Sequence, residues 1–445
     1  MRKRLVILAL ICVLTASLPA CGSQETSSTI TIDEKVDESV ALSMFVPVGV
    51  DLGGTDSFRD LTLAYNKQDS KIRITVDSVS TADGFDDFLE KRLDTKDAVD
   101  IFVVNAENVK DIAQKGQFYD LSGLKSFHEL TKSAKEQAMV GDIAYSIPLK
   151  MAVYVMDVNV SLLKQYDLEV PENYEDFLHC CQVLKEQNIT PISLNRWWAM
   201  AVPVMARSLY PIYQAENQRQ LIDGLNKGDL KIGDYMINGF RMFEEFLKNG
   251  YYGEGLTMEK VDAIKANTQD RADFLSSKTA FRFFPIEELK ATEMENEDKA
   301  ICTGIPMLPD GVITLPSISV RLCVNGGSSH LEDSIKFVDY LTSQREELLS
   351  SDTSGSLSPF KRPAETKAEV PWKQAVLELL DGGGQIPLED MNLRFGCWDN
   401  TRQLCLKMIG GMSAEDAAKE FNRIQMEEIQ AYEEKQALEG GAGGE

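Results

Sequence analysis

From Ala41 onward, strand-like apolar runs alternate with helix-start signals, an order that restricts the chain to the α/β class with mainly parallel sheets. Ala41–Val50 is apolar and ends in the Gly-rich turn Asp51-Leu52-Gly53-Gly54-Thr55-Asp56. Ile72, Ile74 and Val76 alternate with Arg73, Thr75 and Asp77, the period of a half-buried strand. The continuous apolar run Ile101–Val104 is expected of a strand buried on both faces. Ile143–Ile147 and Ala152–Met156 read as two strands around Pro148. Asn173 with Asp176 opens a helix whose apolar positions are Phe177, Leu178, Cys181 and Leu184. Ser329 with Glu332 opens a second (Ile335, Val338, Leu341), and Ser413 with Asp416 a third (Ala417, Phe421, Ile424).

The two ends differ from this body. Arg2, Lys3 and Arg4 precede an apolar run from Leu5 to Leu14, and Leu18-Pro19-Ala20-Cys21 closes the segment. A basic start, a short apolar run and small residues before a cleavage point make a secretory signal, too short for a permanent membrane span. Residues 22–40 are polar and Ser/Thr-rich and read as a flexible tether. The Gly-rich tail from Glu439 reads as disordered.

About 425 residues remain after signal removal, enough for two or three domains. Cleavage removes three of 46 basic residues and none of 70 acidic ones, taking the formal charge from −24 to −27. That field repels polyanions, so nucleic acid is excluded as a partner. Six cysteines lie in the body: Cys180, Cys181, Cys302, Cys323, Cys397 and Cys405. None forms a CxxC, and His128, His179 and His330 are scattered, so no metal site is expected. The spacing leaves open whether these thiols pair or stay reduced. No nucleophile elbow, zincin motif or phosphate loop is present, so no catalytic residues and no cofactor are expected.

Several segments, in order, resemble the family 1 extracellular solute-binding proteins of ABC importers, the group that includes maltodextrin-binding protein. Asp100-Ile101-Phe102 with Gly116–Leu121 resembles the family run "PDIF … G-x-L-x-D-L", with Val99 where the family has Pro. Gly141–Pro148 resembles "G-K-x-Y-x-I-P", and Asn159 the Asn of its "YN" pair. Pro171–Leu184 with Ile189–Ile192 resembles "P-x-T-W-x-E-F … K-x-x-G-I-T-P". Phe274–Phe281 resembles "F-x-x-G-K-A-A-M", Asp333–Leu341 "A-x-x-F-x-x-Y-L", and Gly410–Ala417 the terminal "G-x-x-s-x-E-E-A". The closing Leu18–Cys21 resembles a lipobox, which implies a lipid on Cys21 and a stable anchor on the outer face of the cell membrane.

The resemblance implies a two-lobe, type II periplasmic-binding-protein-like fold with discontinuous lobes joined by hinge crossovers. The crossings are expected near Pro148-Leu149, between Ile305 and Val320, and near Ser351–Pro359. This divides the chain into a signal and lipobox (1–21), a tether (22–40), an N-terminal lobe (41–148 with 320–350), a C-terminal lobe (149–305 with 356–436) and a tail (437–445). Loops after strands would then surround a ligand. Candidates are Asp51 and Asp56 after the first strand, and Asn105, Glu107 and Asn108 after Val104. Glu107 matches the spacing of an acidic sugar-binding residue of the family. Trp197, Trp198 and Trp398 supply indole faces that match the apolar C–H face of a pyranose. Trp398, thirteen residues before Gly411, resembles the family's stacking Trp. Phe284 and Glu287 follow the "K-T-A-F" strand, with Pro285 where the family has glycine, and Tyr154 and Lys150 lie near the first crossing.

The implied function is capture of a solute, a carbohydrate, and its delivery to ABC permease transmembrane subunits by a lipid-anchored monomer that is not an enzyme. Two alternatives stand beside it: a sensor presenting solute to a membrane histidine kinase, and a secreted carbohydrate-active enzyme.

Overall fold

The computed structural model describes residues 30–31, 40–47, 55–68, 71–80, 84–95, 98–105, 108–195, 198–264, 268–286, 300–344, 357–361, 374–382 and 384–442. One nine-stranded sheet organises them. Its strands are β1 (Ile30–Thr31), β2 (Val40–Pro47), β3 (Ile72–Val79), β4 (Ile101–Val104), β5 (Ile147–Val158), β6 (Thr190–Ile192), β7 (Thr279–Pro285), β8 (Ile301–Thr303) and β9 (Leu315–Val324). Their spatial order is β1-β3-β2-β4-β9-β5-β7-β6, with β8 beside β5.

The sheet is mixed, where mainly parallel pairing was expected. β2 runs parallel to β3 and β4, and β6 parallel to β7. The centre is antiparallel: β4 with β9, β9 with β5, and β5 with β7. The cause is the length of β5 and β9. Each runs the full width between the two cores, in opposite directions, and each flanking set of strands pairs with a different end of them.

Pro148 does not break β5; the break falls earlier, at Tyr145-Ser146, between the short strand Ile143–Ala144 and Ile147–Val158. A proline lacks the N–H a ladder needs. Here the ladder slips around it. Ile318 faces Met151 and Val320 faces Lys150, so Ser319 is an extra residue on β9; Arg321 then faces Pro148, so Leu149 is an extra residue on β5. These two compensating irregularities fall where the packing changes hands. Ile147, Leu149, Val320, Leu322 and Val324 belong to one apolar core with Leu42, Ile74, Phe337 and Leu341. Met156, Val158 and Leu315 belong to another with Phe177, Phe243, Phe281 and Phe421. Met151, Val153 and Val155 lie between, with Phe274, Leu357 and Val376.

Local signals place several helices as expected. Asn173 Oδ1 accepts the Asp176 N–H at 3.0 Å, and the helix runs Tyr174–Glu186. Ser413 Oγ accepts the Asp416 N–H at 3.1 Å and opens Ala414–Ala442. The helix Leu331–Ser343 starts after His330 rather than after Ser329. Gly239 lets two helices of the second core touch. A Cβ there would lie 2.4 Å from the Val204 carbonyl oxygen and 2.3 Å from Ser208 Oγ.

Three segments near the expected boundaries take part in the described structure. Ile30 and Thr31, assigned to the tether, pair with Val76 and Thr75, because β3 is otherwise an open edge that offers unpaired backbone groups. The last helix continues to Ala442 through the glycines expected to be disordered, each further residue needing only one more bond once the helix is formed. Residues 357–361, expected in the second lobe, join the first core at Phe360, which bridges Leu130. The Thr131 N–H donates to Pro359 O at 2.9 Å and the Lys361 N–H to Glu129 O at 2.8 Å.

Candidate functional site

The described aromatic candidates, Trp198, Trp398 and Phe284, gather with Tyr154 on β5. Tyr154 is the one residue of that strand that is not buried. Its ring lies 5.9 Å from Trp398 and 6.4 Å from Trp198, centroid to centroid, both rings tilted by about 45°. Both tryptophans are half-buried and rest on the second core. Trp198 packs edge-on against Phe284 at 4.8 Å. Phe284 itself is 1% exposed, so it backs Trp198 and presents no free face.

Each tryptophan is the first residue of a helix, Trp198–Tyr213 and Trp398–Ile409. A helix start leaves backbone N–H groups without partners, and a side-chain oxygen can fix them. At Trp198 the oxygen is Asn195 Oδ1, which accepts the N–H of Trp198 at 2.6 Å and of Ala199 at 3.0 Å. At Trp398 it is the Glu389 carboxylate, which accepts the N–H of Trp398 at 2.7 Å and of Cys397 at 3.4 Å.

Asn195 is itself held by a buried ionic system. Its Nδ2 donates to Asp270 Oδ2 at 3.2 Å, and Arg282 Nε donates to the same oxygen at 3.2 Å. The Arg282 guanidinium lies 3.6 Å from Asp157 and 3.4 Å over the Phe284 ring. Arg282, Asp157 and Asp270 are all at most 2% exposed. Burial pushes the Asp157 carboxyl up to about 7, against the pull of Arg282. Burial also pushes Glu389 up to about 7, opposed by the Trp398 and Cys397 N–H groups and by Lys110.

The loop after β4 contributes differently. Asn105 donates through Nδ2 to Asp86 Oδ1 at 3.0 Å. Asn108 precedes the helix Val109–Gln114 without capping it through its side chain, and its Nδ2 is buried with no hydrogen-bond partner among the described residues. Asp56 lies in the first turn of the helix Thr55–Gln68 rather than in a turn before it. Asp51, Glu107, Trp197, Glu287 and the whole segment 1–21 with Cys21 lie outside the described residues. Lys150 is buried at the crossing.

All six described cysteines are free and buried. Among the described residues no cluster of His, Cys, Asp and Glu could hold a metal ion, and no helix is long and apolar enough to cross a membrane. A cavity of about 910 Å³ opens elsewhere between the two halves, against Lys110, Glu136, Arg219, Asp390, Arg394 and Tyr432. None of the four clustered aromatic residues lines it.

Sequence reasoning singled out both described tryptophans but missed what holds them. Asn195 stands three residues before Trp198, a spacing that fits an N-cap. Asp270, Arg282 and Glu389 carry no local signal, because their partners are distant in the chain.

Comparison with known proteins identifies the family and the fold. Residues 53–347 match the family model described as bacterial extracellular solute-binding protein. A multiple sugar-binding protein of Streptococcus mutans serotype c is 21% identical over 322 residues, 68% of this chain and 72% of that protein. A family 1 extracellular solute-binding protein from Bifidobacterium longum subsp. infantis superposes with a TM-score of 0.71 at 17% identity, covering 87% of this chain and 99% of that one. The solute-binding protein RafE in complex with raffinose superposes at 0.60 and 14% identity, over 88% of this chain and 100% of that one. Those likenesses carry the two-lobe type II fold. With the family model spanning well over half its length, the chain belongs to the bacterial extracellular solute-binding proteins.

Proposed function

We propose that this chain captures a carbohydrate between its lobes outside the cell and hands it, unaltered, to the transmembrane subunits of an ABC importer. The observation that carries the reading is the pair of half-buried tryptophans flanking Tyr154, each fixed at the start of a helix. Flat rings whose backbones are already anchored can stack on a sugar without a large ordering cost. The unpartnered Asn108 Nδ2 adds a donor suited to a hydroxyl. Glu107, Trp197, Asp51, Asp56, Asn105 and Glu287 complete the proposed surface. The names of the relatives agree in kind: one is called a multiple sugar-binding protein, and another was solved with raffinose.

In this reading the first lobe comprises 41–148, 320–350 and 357–361, and the second 149–305 and 374–436. The division is supported by the membership of the two main cores. Closure would bend the molecule where β5 and β9 slip against each other, since bulged strands bend more readily than regular ones.

A thermal-unfolding screen against raffinose, maltotriose, xylotriose and chitotriose tests capture. A sugar at about 100 times its Kd is expected to add about 2.7 kcal/mol through mass action, and chromatography is expected to recover it intact. A panel that leaves the midpoint unmoved, or a sugar that is cleaved, would overturn the proposal. Anchoring through a lipid on Cys21 belongs to the same reading. Cys21→Ser is expected to move the protein from the membrane fraction to the soluble one, and persistence in the membrane fraction would remove the anchor.

A further inference from the structure

The two helix starts differ in what holds them. A neutral amide holds Trp198, but at Trp398 the acceptor is an ionisable carboxyl from a loop nine residues earlier. That carboxyl faces charged and titratable groups from several elements. Lys110, on the helix Val109–Gln114, belongs to the first half of the molecule and draws Glu389 toward its charged form. Asp390 adjoins it, and its Oδ2 accepts the Tyr213 hydroxyl at 3.1 Å. Cys397 lies buried beneath. Glu428, on the last helix, accepts the Gly396 N–H and the Asn400 amide, both at 2.8 Å. Lys110 is the single cation of this set.

We propose that Glu389 is the positioning residue of the Trp398 platform, and that its charge sets how firmly the start of that helix is held. The inference rests on Trp398 being a sugar platform, as argued above. An ionised carboxylate binds a helix N-terminus through charge-assisted bonds and the helix dipole. Once protonated, one oxygen becomes a donor, the attraction to Lys110 disappears, and one acceptor is left for two N–H groups.

The direction of the pH effect follows. Burial raises Glu389 to about 7, so the group is neutral in the folded chain below that value and anionic above it. A carboxyl raised by folding holds its proton more tightly in the native state. Fold stability therefore falls as pH rises from the ordinary carboxyl range to about 7, and is level beyond it. The form that grips Trp398 best is the form the fold tolerates least. Sugar affinity is expected to fall as pH drops through 7.

Two measurements separate this proposal from the reading it rests on. The first needs no sugar: the emission of Trp398, taken as the difference between the chain and its Trp398→Phe variant, followed from pH 5.5 to 8.5. It is expected to titrate near pH 7, to lose that titration in Glu389→Gln, and to titrate at higher pH in Lys110→Met. A titration that survives in Glu389→Gln, or its absence from the unsubstituted chain, overturns the positioning role. An unmoved midpoint in Lys110→Met would mean that the titrating group is not Glu389, and overturns the role as well. Glutamine keeps an acceptor oxygen in place; should Glu389→Gln nonetheless fail to fold, the Lys110→Met midpoint decides. The second measurement is calorimetry with the panel sugar that raises the unfolding midpoint most. Affinity is expected to be about three- to fivefold weaker at pH 6 than at pH 8, and independent of pH in Glu389→Gln. A Trp398→Ala variant with full sugar affinity would sink the platform reading while leaving the emission test of Glu389 intact.

Discussion

Arg282→Met is expected to lower the free energy of unfolding by about 3–5 kcal/mol, the largest single effect at this site. Arg282 is the shared cation of two buried carboxylates, 3.2 Å from Asp270 and 3.6 Å from Asp157. Methionine fills similar space but leaves both acids without a counter-charge. Removing one partner of a buried ionic cluster costs more than never having built it, because the remaining charge is desolvated and unpaired. The loss should depend on pH in a stated direction. Asp157 sits at about 7 in the intact chain, so at pH 6 it is largely protonated before the substitution and needs Arg282 less. At pH 8 it is ionised, and the substitution forces either an uncompensated charge or an uphill protonation. Urea unfolding at pH 6 and pH 8 is the check. Equal losses at both would mean that Asp157 does not feel Arg282. A gain in stability would mean that the network is replaceable by packing alone.

The parts of this architecture that were legible in the sequence depend on neighbours in the chain. The run Ile101–Val104 and the alternation from Ile72 to Val76 report their own burial, and Asn173 and Ser413 cap helices through bonds to residues three positions on. Pairing over long range was hidden. Pro148 looked like a strand break because a proline weakens a ladder, and only the register of β9, some 170 residues later, shows the slip that accommodates it. The antiparallel centre is invisible for the same reason. In the aromatic cluster, Trp398 drew notice through its resemblance to a family motif and Trp198 through its place after a strand. Their supports were not. Asn195 and Asp270 meet across 75 positions, and nothing local marks a carboxylate that will end up sharing one oxygen between an amide and a guanidinium.

Trp398→Ala is expected to weaken sugar binding by about thirtyfold or more, corresponding to about 2 kcal/mol for the loss of a stacked indole. The fold should survive it. The bond from Glu389 reaches the backbone N–H of residue 398, which alanine retains, and the indole is only half-buried. Trp198→Ala should lose affinity too, but with a cost in stability, because its ring covers Phe284 and through it the Arg282 guanidinium. The two tryptophans flank one tyrosine, so a sugar stacked between them engages both faces together. Removing the second should then cost less than removing the first, and a double-mutant cycle by calorimetry reads that coupling. Strictly additive losses would place the two indoles at separate positions along a longer ligand. Unchanged affinity in Trp398→Ala, with the unfolding midpoint also unchanged, would mean that the solute lies elsewhere in the groove between the lobes.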